Sequence, residues 1–219
     1  NTPFGNYITT AEHAISMMMA LARQIPAADR STHEGKWEKN RFMGVELYGK
    51  VLGVIGCGNI GAIVCDRAIG LKMRVVAFDP YLSEERALDL GVERVDLDTL
   101  FARADFITLH TPLNDATRGI INADSIAKMK TGVRIINCAR GGLLVEEDLR
   151  AAIDAGQVAG AAVDVFSSEP AKENALFGSD AVVATPHLGA STTEAQVNVA
   201  VQVAEQMACY LLTGAITNA

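Results

Sequence analysis

Residues 51–61 read Val-Leu-Gly-Val-Ile-Gly-Cys-Gly-Asn-Ile-Gly, and Asp79 closes the next apolar run. The run Val51–Ile55 has the composition of a buried strand. Gly56 permits a tight turn, Gly58 lets a backbone approach a pyrophosphate, and Gly61 lets the following helix pack on the strand. Amides at that helix N-terminus, aided by the helix dipole, suit phosphate oxygens. A bare G-x-G-x-x-G means little. Between a strand and a helix, with an acid about 20 residues on, it predicts a dinucleotide site. Asp79 can accept hydrogen bonds from ribose hydroxyls and would repel a 2′-phosphate, which favours NAD over NADP. Asp79-Pro80 also suits a chain reversal, and both readings can hold together.

Outward from this unit, short apolar strands alternate with helices. Arg74–Phe78, Phe106–His110, Arg134–Asn137, Ala159–Val165 and Ala181–Ala184 read as strands. Asn59–Leu71, Ser83–Leu90 (closed by Gly91), Leu97–Arg103, Ala123–Met129 and Glu146–Ala155 (closed by Gly156) read as helices. The strands are β-branched and almost wholly apolar, as parallel strands covered on both faces are. The prediction is an α/β, doubly wound parallel sheet of Rossmann type, with flanking N-terminal and C-terminal helices.

A helix is expected over Thr9–Arg23, with Thr9 and Glu12 at capping-box spacing. Its run Ile15, Met17, Met18, Met19, Leu21 is apolar on too many faces for a simple surface helix, so a second surface, preferably a subunit interface, is expected. A fully buried helix within the domain is the alternative. Ile25–Tyr48 reads as a polar connection holding Trp37, the only tryptophan, which suits an anchor against another surface. Thr192–Leu212 reads as a long helix opened by a Ser191 and Glu194 pair. The domain expectation is one NAD-binding domain over 1–219: helix and arm 1–50, core 51–190, C-terminal helix 191–219.

Composition sets limits. Hydrophobic residues make up 49% of the chain, ample for a large core. The net charge of −7, without a basic tract, disfavours nucleic acid as a partner. Cys57, Cys65, Cys138 and Cys209 form no C-x-x-C pair, and a reduced cytoplasmic protein is the simplest account. No apolar stretch approaches the roughly 18–20 residues of a membrane span, and no signal peptide or metal-ligand pattern is evident. The chain opens without an initiator Met, which suggests a piece of a longer protein.

The chemistry-bearing residues fall just past strand ends: His110-Thr111-Pro112, Cys138-Ala139-Arg140-Gly141-Gly142, Asp164, and Thr185-Pro186-His187-Leu188-Gly189. Ligands of open parallel sheets sit outside those carboxyl ends, so these dispersed positions are expected to converge. Oxidising an alcohol needs a base for the hydroxyl proton while hydride leaves. His187 titrates in the right range. Glu169 can orient it and favour its protonated form. Arg140 matches a substrate carboxylate in a two-pronged contact. Alone, each reads as a turn or surface residue; together at strand ends they read as a site. Cys138 has no evident paired base and reads as a lining residue rather than a nucleophile. His13 and His33 lack such placement and read as helix and arm residues.

These motifs resemble the D-isomer-specific 2-hydroxyacid dehydrogenase family. The resemblance rests on Asn1-Thr2-Pro3 through Ala11-Glu12, Gly35-Lys36-Trp37-Glu38, Gly56–Gly61, 105–113, 137–142, 162–166 with Glu169-Pro170, and 186–192, nearly the whole chain. It implies Arg140, Glu169 and His187 as the catalytic trio. It implies NAD contacts from Asn59, Ile60, Asp79, Thr111, Pro112, Cys138, Ala139, Arg140, Asp164 and the loop His187, Leu188, Gly189, Ala190. Within the family it is nearest members that oxidise 3-phospho-D-glycerate to 3-phosphohydroxypyruvate, opening serine biosynthesis. It implies a substrate-binding domain ahead of Asn1 and regulatory domains past Ala219 that this chain lacks, and hence weak or no turnover alone. The expected partners are a phosphorylated 2-hydroxy acid and a second copy of the chain. Alternatives are a lactate, glyoxylate or hydroxypyruvate reductase of the same family, and an NAD-sensing corepressor-like binding protein, a branch that keeps the same trio.

Overall fold

The computed structural model describes residue 2 and residues 5–216. Asn1 and Pro3 of the opening motif, and the end of the stretch 191–219, lie outside the described residues.

In chain order the elements are α1 (Tyr7–Arg23), α2 (Ile25–His33), β1 (Val51–Ile55), α3 (Asn59–Gly70), β2 (Arg74–Phe78), α4 (Glu84–Leu90), β3 (Glu93–Arg94), α5 (Leu97–Arg103), β4 (Phe106–Leu109), α6 (Ala123–Ala127), β5 (Val133–Asn137), α7 (Glu146–Asp154), β6 (Val158–Val163), β7 (Val182–Ala184) and α8 (Thr193–Thr213). The strands form one sheet in the order β3-β2-β1-β4-β5-β6-β7. Every pairing is parallel. The doubly wound prediction therefore holds. The winding reverses between β1 and β4, which opens a crevice at their carboxyl ends.

Side-chain alternation divides each strand between two cores. Leu52, Val54, Val75, Phe106, Ile136 and Val183 pack with α1 and α3 on one face. Val51, Ile55, Val76, Ile107, Ile135 and Val163 pack with Leu100, Phe101, Ile126 and Leu149 of α5, α6 and α7 on the other. At Gly53 a Cβ would stand 2.6 Å from Leu100, so glycine sets how closely α5 approaches β1.

Several local expectations need correction. Ile25–Tyr48 is not one connection, since α2 occupies its first nine residues. Gln24, at φ 53°, breaks α1, and Pro26 sits in the first turn of α2, where its missing N–H costs nothing. The Thr9–Glu12 capping box does not form. The helix starts two residues earlier, with Asn6 at the N-cap making no side-chain bond. Thr9 Oγ1 lies 3.3 Å from Thr192 Oγ1 instead. The cap of α8 is Thr192 rather than Ser191; its hydroxyl accepts from the Ala195 N–H. Strand β3 escaped notice because its two residues are charged and exposed.

The Met-rich helix turns Met17, Met18 and Leu21 into the core and leaves Met19 45% exposed. Among the described residues of α8, only Ala195 is buried, and Val197, Val201, Met207, Tyr210, Leu211 and Leu212 are exposed. Among the described residues no helix is long and apolar enough to cross a membrane.

Candidate active site

The glycine-rich turn lies where the winding reverses. Gly56 has φ +96°, and a Cβ there would stand 2.6 Å from the His110 carbonyl. A Cβ on Gly61 would stand 2.0 Å from the Gly56 carbonyl, so α3 meets the turn backbone to backbone. Gly58 differs: a Cβ on it would find nothing within 4 Å. It faces open space at the N-cap of α3, with no side-chain cap over the helix end. The first-turn amides of Asn59, Ile60 and Gly61 have no intrahelical acceptor. An uncapped helix end facing a space that one methyl group would invade fits a pyrophosphate.

Asp79, at the end of β2, accepts from the Cys57 N–H (2.8 Å) through one oxygen and from the Tyr81 N–H (2.8 Å) through the other. The acid thus locks the turn as well as standing beside it. His110 supports the turn from β4. Its Nε2 lies 2.9 Å from Thr108 Oγ1. Its Nδ1 is buried without a hydrogen-bond partner. Burial pushes this imidazole down to about 4, so it is neutral at neutral pH. Thr111 follows at the lip, and the Pro112 carbonyl accepts from the Thr117 hydroxyl.

The second half of the rim lies past β5, β6 and β7. Cys138 is buried, and burial together with the Asp164 charge pushes its thiol up, consistent with an unreactive lining residue. Asn137 grips the turn that follows: its side chain accepts from the Ala139 N–H and donates to the Arg140 carbonyl. The Arg140 guanidinium is exposed and donates to the Ala139 carbonyl. Gly141 passes so close to the next loop that a Cβ would stand 1.9 Å from the Phe166 carbonyl. The Arg140 turn therefore lies directly against the Glu169 loop.

Glu169 and His187 are in contact. His187 Nδ1 donates to Glu169 Oε2 at 2.7 Å, which leaves Nε2 available to exchange a proton with a ligand. Glu169 Oε1 accepts from the Phe166 N–H (3.0 Å). Partial burial works against its charge, but the bonds from His187 and Phe166 outweigh this and hold its carboxyl below the usual range. Phe166, Pro170, Ala171, Phe177 and Pro186 line an apolar hollow beside the pair. Such a wall lowers the local polarity around a proton-transfer group.

His187 sits at φ 56°, a left-handed conformation that costs a non-glycine residue on the order of 1 kcal/mol or more. Asp164 holds it there. The Asp164 carbonyl accepts from the His187 N–H (2.9 Å). Its carboxylate accepts from the N–H groups of Leu188 (2.7 Å) and Gly189 (2.8 Å) and from the Thr185 hydroxyl (2.6 Å). Asp164 is 1% exposed. Desolvation opposes its charge, and the bonds from His13, Thr185, Leu188 and Gly189 more than compensate, keeping the carboxyl below its ordinary range. Asp164 thus spends its carboxylate on the loop of Gly189 and Ala190.

Three residues at this rim were not foreseen. His13, read as a plain helix residue, reaches Asp164 Oδ1 at 3.2 Å. Thr10, on the same face of α1, donates to the Gly189 carbonyl (3.0 Å). Buried Glu146 accepts from both the N–H and the hydroxyl of Ser167 and fixes the loop that carries Glu169. For Thr10 and His13 the available signal was their spacing on one helical face.

The family described as D-isomer specific 2-hydroxyacid dehydrogenase, NAD binding domain, matches residues 15–189. The chain is 55% identical over 212 residues to the D-3-phosphoglycerate dehydrogenase of Synechocystis sp., covering 97% of this chain and 38% of that protein. It is 52% identical over 208 residues to the Archaeoglobus fulgidus protein of the same name, covering 94% and 40%. The chain thus spans about two-fifths of the length of these curated relatives. A glyoxylate reductase from Paecilomyes thermophila superposes with TM-score 0.93 at 33% identity, over 99% of this chain and 66% of that one. An Escherichia coli D-lactate dehydrogenase superposes with TM-score 0.87 at 35% identity, over 97% and 66%. With the sheet order, the uncapped α3 terminus and these similarities agreeing, the chain belongs to the D-isomer specific 2-hydroxyacid dehydrogenase family, as a form of its NAD-binding domain.

Proposed function

We propose that this chain is the NAD-binding domain of an enzyme that oxidises 3-phospho-D-glycerate to 3-phosphohydroxypyruvate, the entry reaction of serine biosynthesis. The observation that carries the chemistry is the 2.7 Å contact between His187 Nδ1 and Glu169 at the carboxyl edge of the sheet. The substrate assignment rests on the higher identity to proteins named D-3-phosphoglycerate dehydrogenase (55% and 52%) than to a glyoxylate reductase (33%) or a D-lactate dehydrogenase (35%).

NAD would lie along the rim, its pyrophosphate against Gly58 and the α3 amides and its adenosine ribose at Asp79. Asn59, Ile60, Thr111, Pro112, Cys138, Ala139, Asp164 and the His187–Ala190 loop complete the lining. Bound nicotinamide supplies the hydride acceptor for oxidation and the donor for reduction. His187 Nε2 takes the hydroxyl proton, or returns it in reduction. The Glu169 carboxylate stabilises the resulting imidazolium and fixes its orientation. Arg140 swings from the Ala139 carbonyl to hold the substrate carboxylate and polarise the adjacent carbon–oxygen bond.

The relatives are longer, and the apolar hollow beside the dyad is open on this chain alone. We assign closure of the site to the remainder of the longer protein, so the isolated 219 residues bind NAD but turn over weakly. The outward face of α1 and the arm carrying Trp37 (87% exposed), Met43 and Tyr48 form a subunit interface. The protein works in the cytoplasm.

The test is steady-state assay of the full-length protein on a panel of 2-hydroxy and 2-keto acids, beside the 219-residue chain. Preference for 3-phosphoglycerate by kcat/KM supports the reading; preference for lactate or glyoxylate moves the protein elsewhere in its family. Equal turnover by the short chain rejects the closure assignment. A monomer at micromolar concentration in sedimentation rejects the interface.

A further inference from the structure

The loop that carries His187 is gripped along its length by one face of α1. Thr9 Oγ1 meets Thr192 Oγ1 at 3.3 Å, Thr10 Oγ1 donates to the Gly189 carbonyl at 3.0 Å, and His13 Nε2 lies 3.2 Å from Asp164 Oδ1 and 3.3 Å from Thr185 Oγ1. Residues 9, 10 and 13 share a helical face. From these contacts we infer that His13 is a positioning residue for the reaction. Together with Thr10 it fixes the conformation of loop 185–189 through the Asp164 carboxylate, and so sets where the His187 imidazole stands. The inference rests on the reading of His187 as the proton-handling group.

The Asp164 side chain is 1% exposed and accepts from two loop amides and a hydroxyl. A buried carboxylate is a firm anchor only if its own orientation is fixed, because it can rotate about its terminal torsion and exchange partners. The groups at Leu188, Gly189 and Thr185 all belong to the loop being held. They cannot supply an external reference. His13 comes from a different element, is only 19% exposed at its side chain, and is seated on a helix whose inner face (Ala11, Ala14, Met17, Met18, Leu21) enters the core. The Thr185 hydroxyl, which donates to Asp164, accepts from the His13 Nε2–H at 3.3 Å, and Asp164 Oδ1 itself lies 3.2 Å from that nitrogen. The imidazole therefore ties the anchor to the rigid body of the domain. Thr10 does the same from the neighbouring turn, directly on the loop backbone.

The need for such a tie is visible at His187 itself. Its backbone is held at φ 56°, and it precedes the residues whose amides Asp164 binds. If the anchor relaxes, the residue reverts toward an ordinary conformation and the imidazole leaves Glu169.

The test uses the full-length protein with His13→Leu, His13→Gln and Thr10→Val. Amide hydrogen exchange at Leu188 and Gly189 reports the tie independently of any hydroxy acid. In His13→Leu, exchange there rises about tenfold or more while α3 and sheet amides keep their protection. The kcat falls about tenfold to a hundredfold while NADH affinity changes by less than about threefold, because the loss lies in orientation. Gln, whose amide nitrogen reaches as far as Nε2, restores both. Thr10→Val shows the same pattern more weakly and serves if His13→Leu does not fold. Unchanged exchange at Leu188 and Gly189, loss of protection throughout the domain, or no rescue by Gln overturns the inference. If the unmodified protein turns over no hydroxy acid, the proposed function fails, while the exchange experiment still decides whether His13 holds the loop.

Discussion

His187 Nδ1 and Glu169 Oε2 lie 2.7 Å apart although 18 residues separate them in the chain. One follows β7 and the other β6, so their meeting is a product of strand adjacency in the sheet. The contact fixes the imidazole tautomer and places a negative charge where an imidazolium would form. Replacing His187 by Asn is expected to lower kcat/KM by about 10²–10⁴-fold. In Glu169→Gln the loss is smaller. Unchanged kcat/KM in Glu169→Gln would show that the pair does not act together.

Arg140 donates to its neighbour's carbonyl and faces solvent, free to engage a ligand. Arg140→Gln is expected to lower kcat/KM about tenfold or more, mostly through KM for the hydroxy acid. Lys would rescue little, since an ammonium lacks the two-pronged geometry. NADH affinity, measured by fluorescence titration, should fall by less than that. An equal loss of NADH binding would make the cofactor, rather than the hydroxy acid, the main ligand of Arg140.

Two glycines of one turn should behave oppositely. Gly61→Ala forces a Cβ to 2.0 Å from the Gly56 carbonyl, so the variant unfolds or shifts α3. Gly58→Ala meets nothing within 4 Å and should melt close to the parent protein. Its methyl group fills the pyrophosphate cradle, so NAD affinity drops about tenfold or more. Thermal melts and NADH titration of the pair separate fold from binding. Retained affinity in Gly58→Ala would remove the cradle from that position.

Asp79→Ala is expected to weaken NAD about tenfold and to narrow the preference over NADP, because the ribose acceptor and the charge that repels a 2′-phosphate go together. The Cys57 N–H also loses its acceptor, so Asn, which keeps one, should bind better than Ala. Equal NAD affinity in all three proteins would leave Asp79 with the turn alone.

His110 makes folding stability depend on pH. Its imidazole is pushed from 6.5 to about 4 by burial, so between those values the unfolded chain binds a proton that the folded one does not. Stability from this group is complete above about pH 6.5 and declines as pH falls toward 4, by at most about 3 kcal/mol. Denaturant melts of His110→Gln between pH 7 and 4 should show a shallower decline. An identical slope would mean that other groups carry it.

The architecture was legible because its causes are local. Wholly apolar, β-branched strands separated by helices specify a parallel sheet covered on both faces, and Gly56 and Gly61 mark a turn that only glycines tolerate, with Gly58 open beside it. Strand β3 was illegible because Glu93 and Arg94 carry no burial pattern. Helix α2 was illegible because its polar residues masked the start set by Gln24 and Pro26. The caps at Asn6 and Thr192 were misplaced by a few residues because several hydroxyl and amide side chains compete there, and only the path of the chain chooses among them.

From the order of its residues alone, the chain determined a dinucleotide fold and which side chains would gather past the strand ends, since secondary structure and strand termini follow from spacing and composition. Tertiary structure alone decided how those side chains are held. His13 looked like an ordinary helix residue until α1 packed across β5, β6 and β7 and brought it to Asp164. Asp164 read as a lining residue alone until its buried oxygens were found gripping the loop of His187 as well. Hydrogen bonds between distant segments depend on how helices pack against the sheet, which no single stretch of sequence encodes.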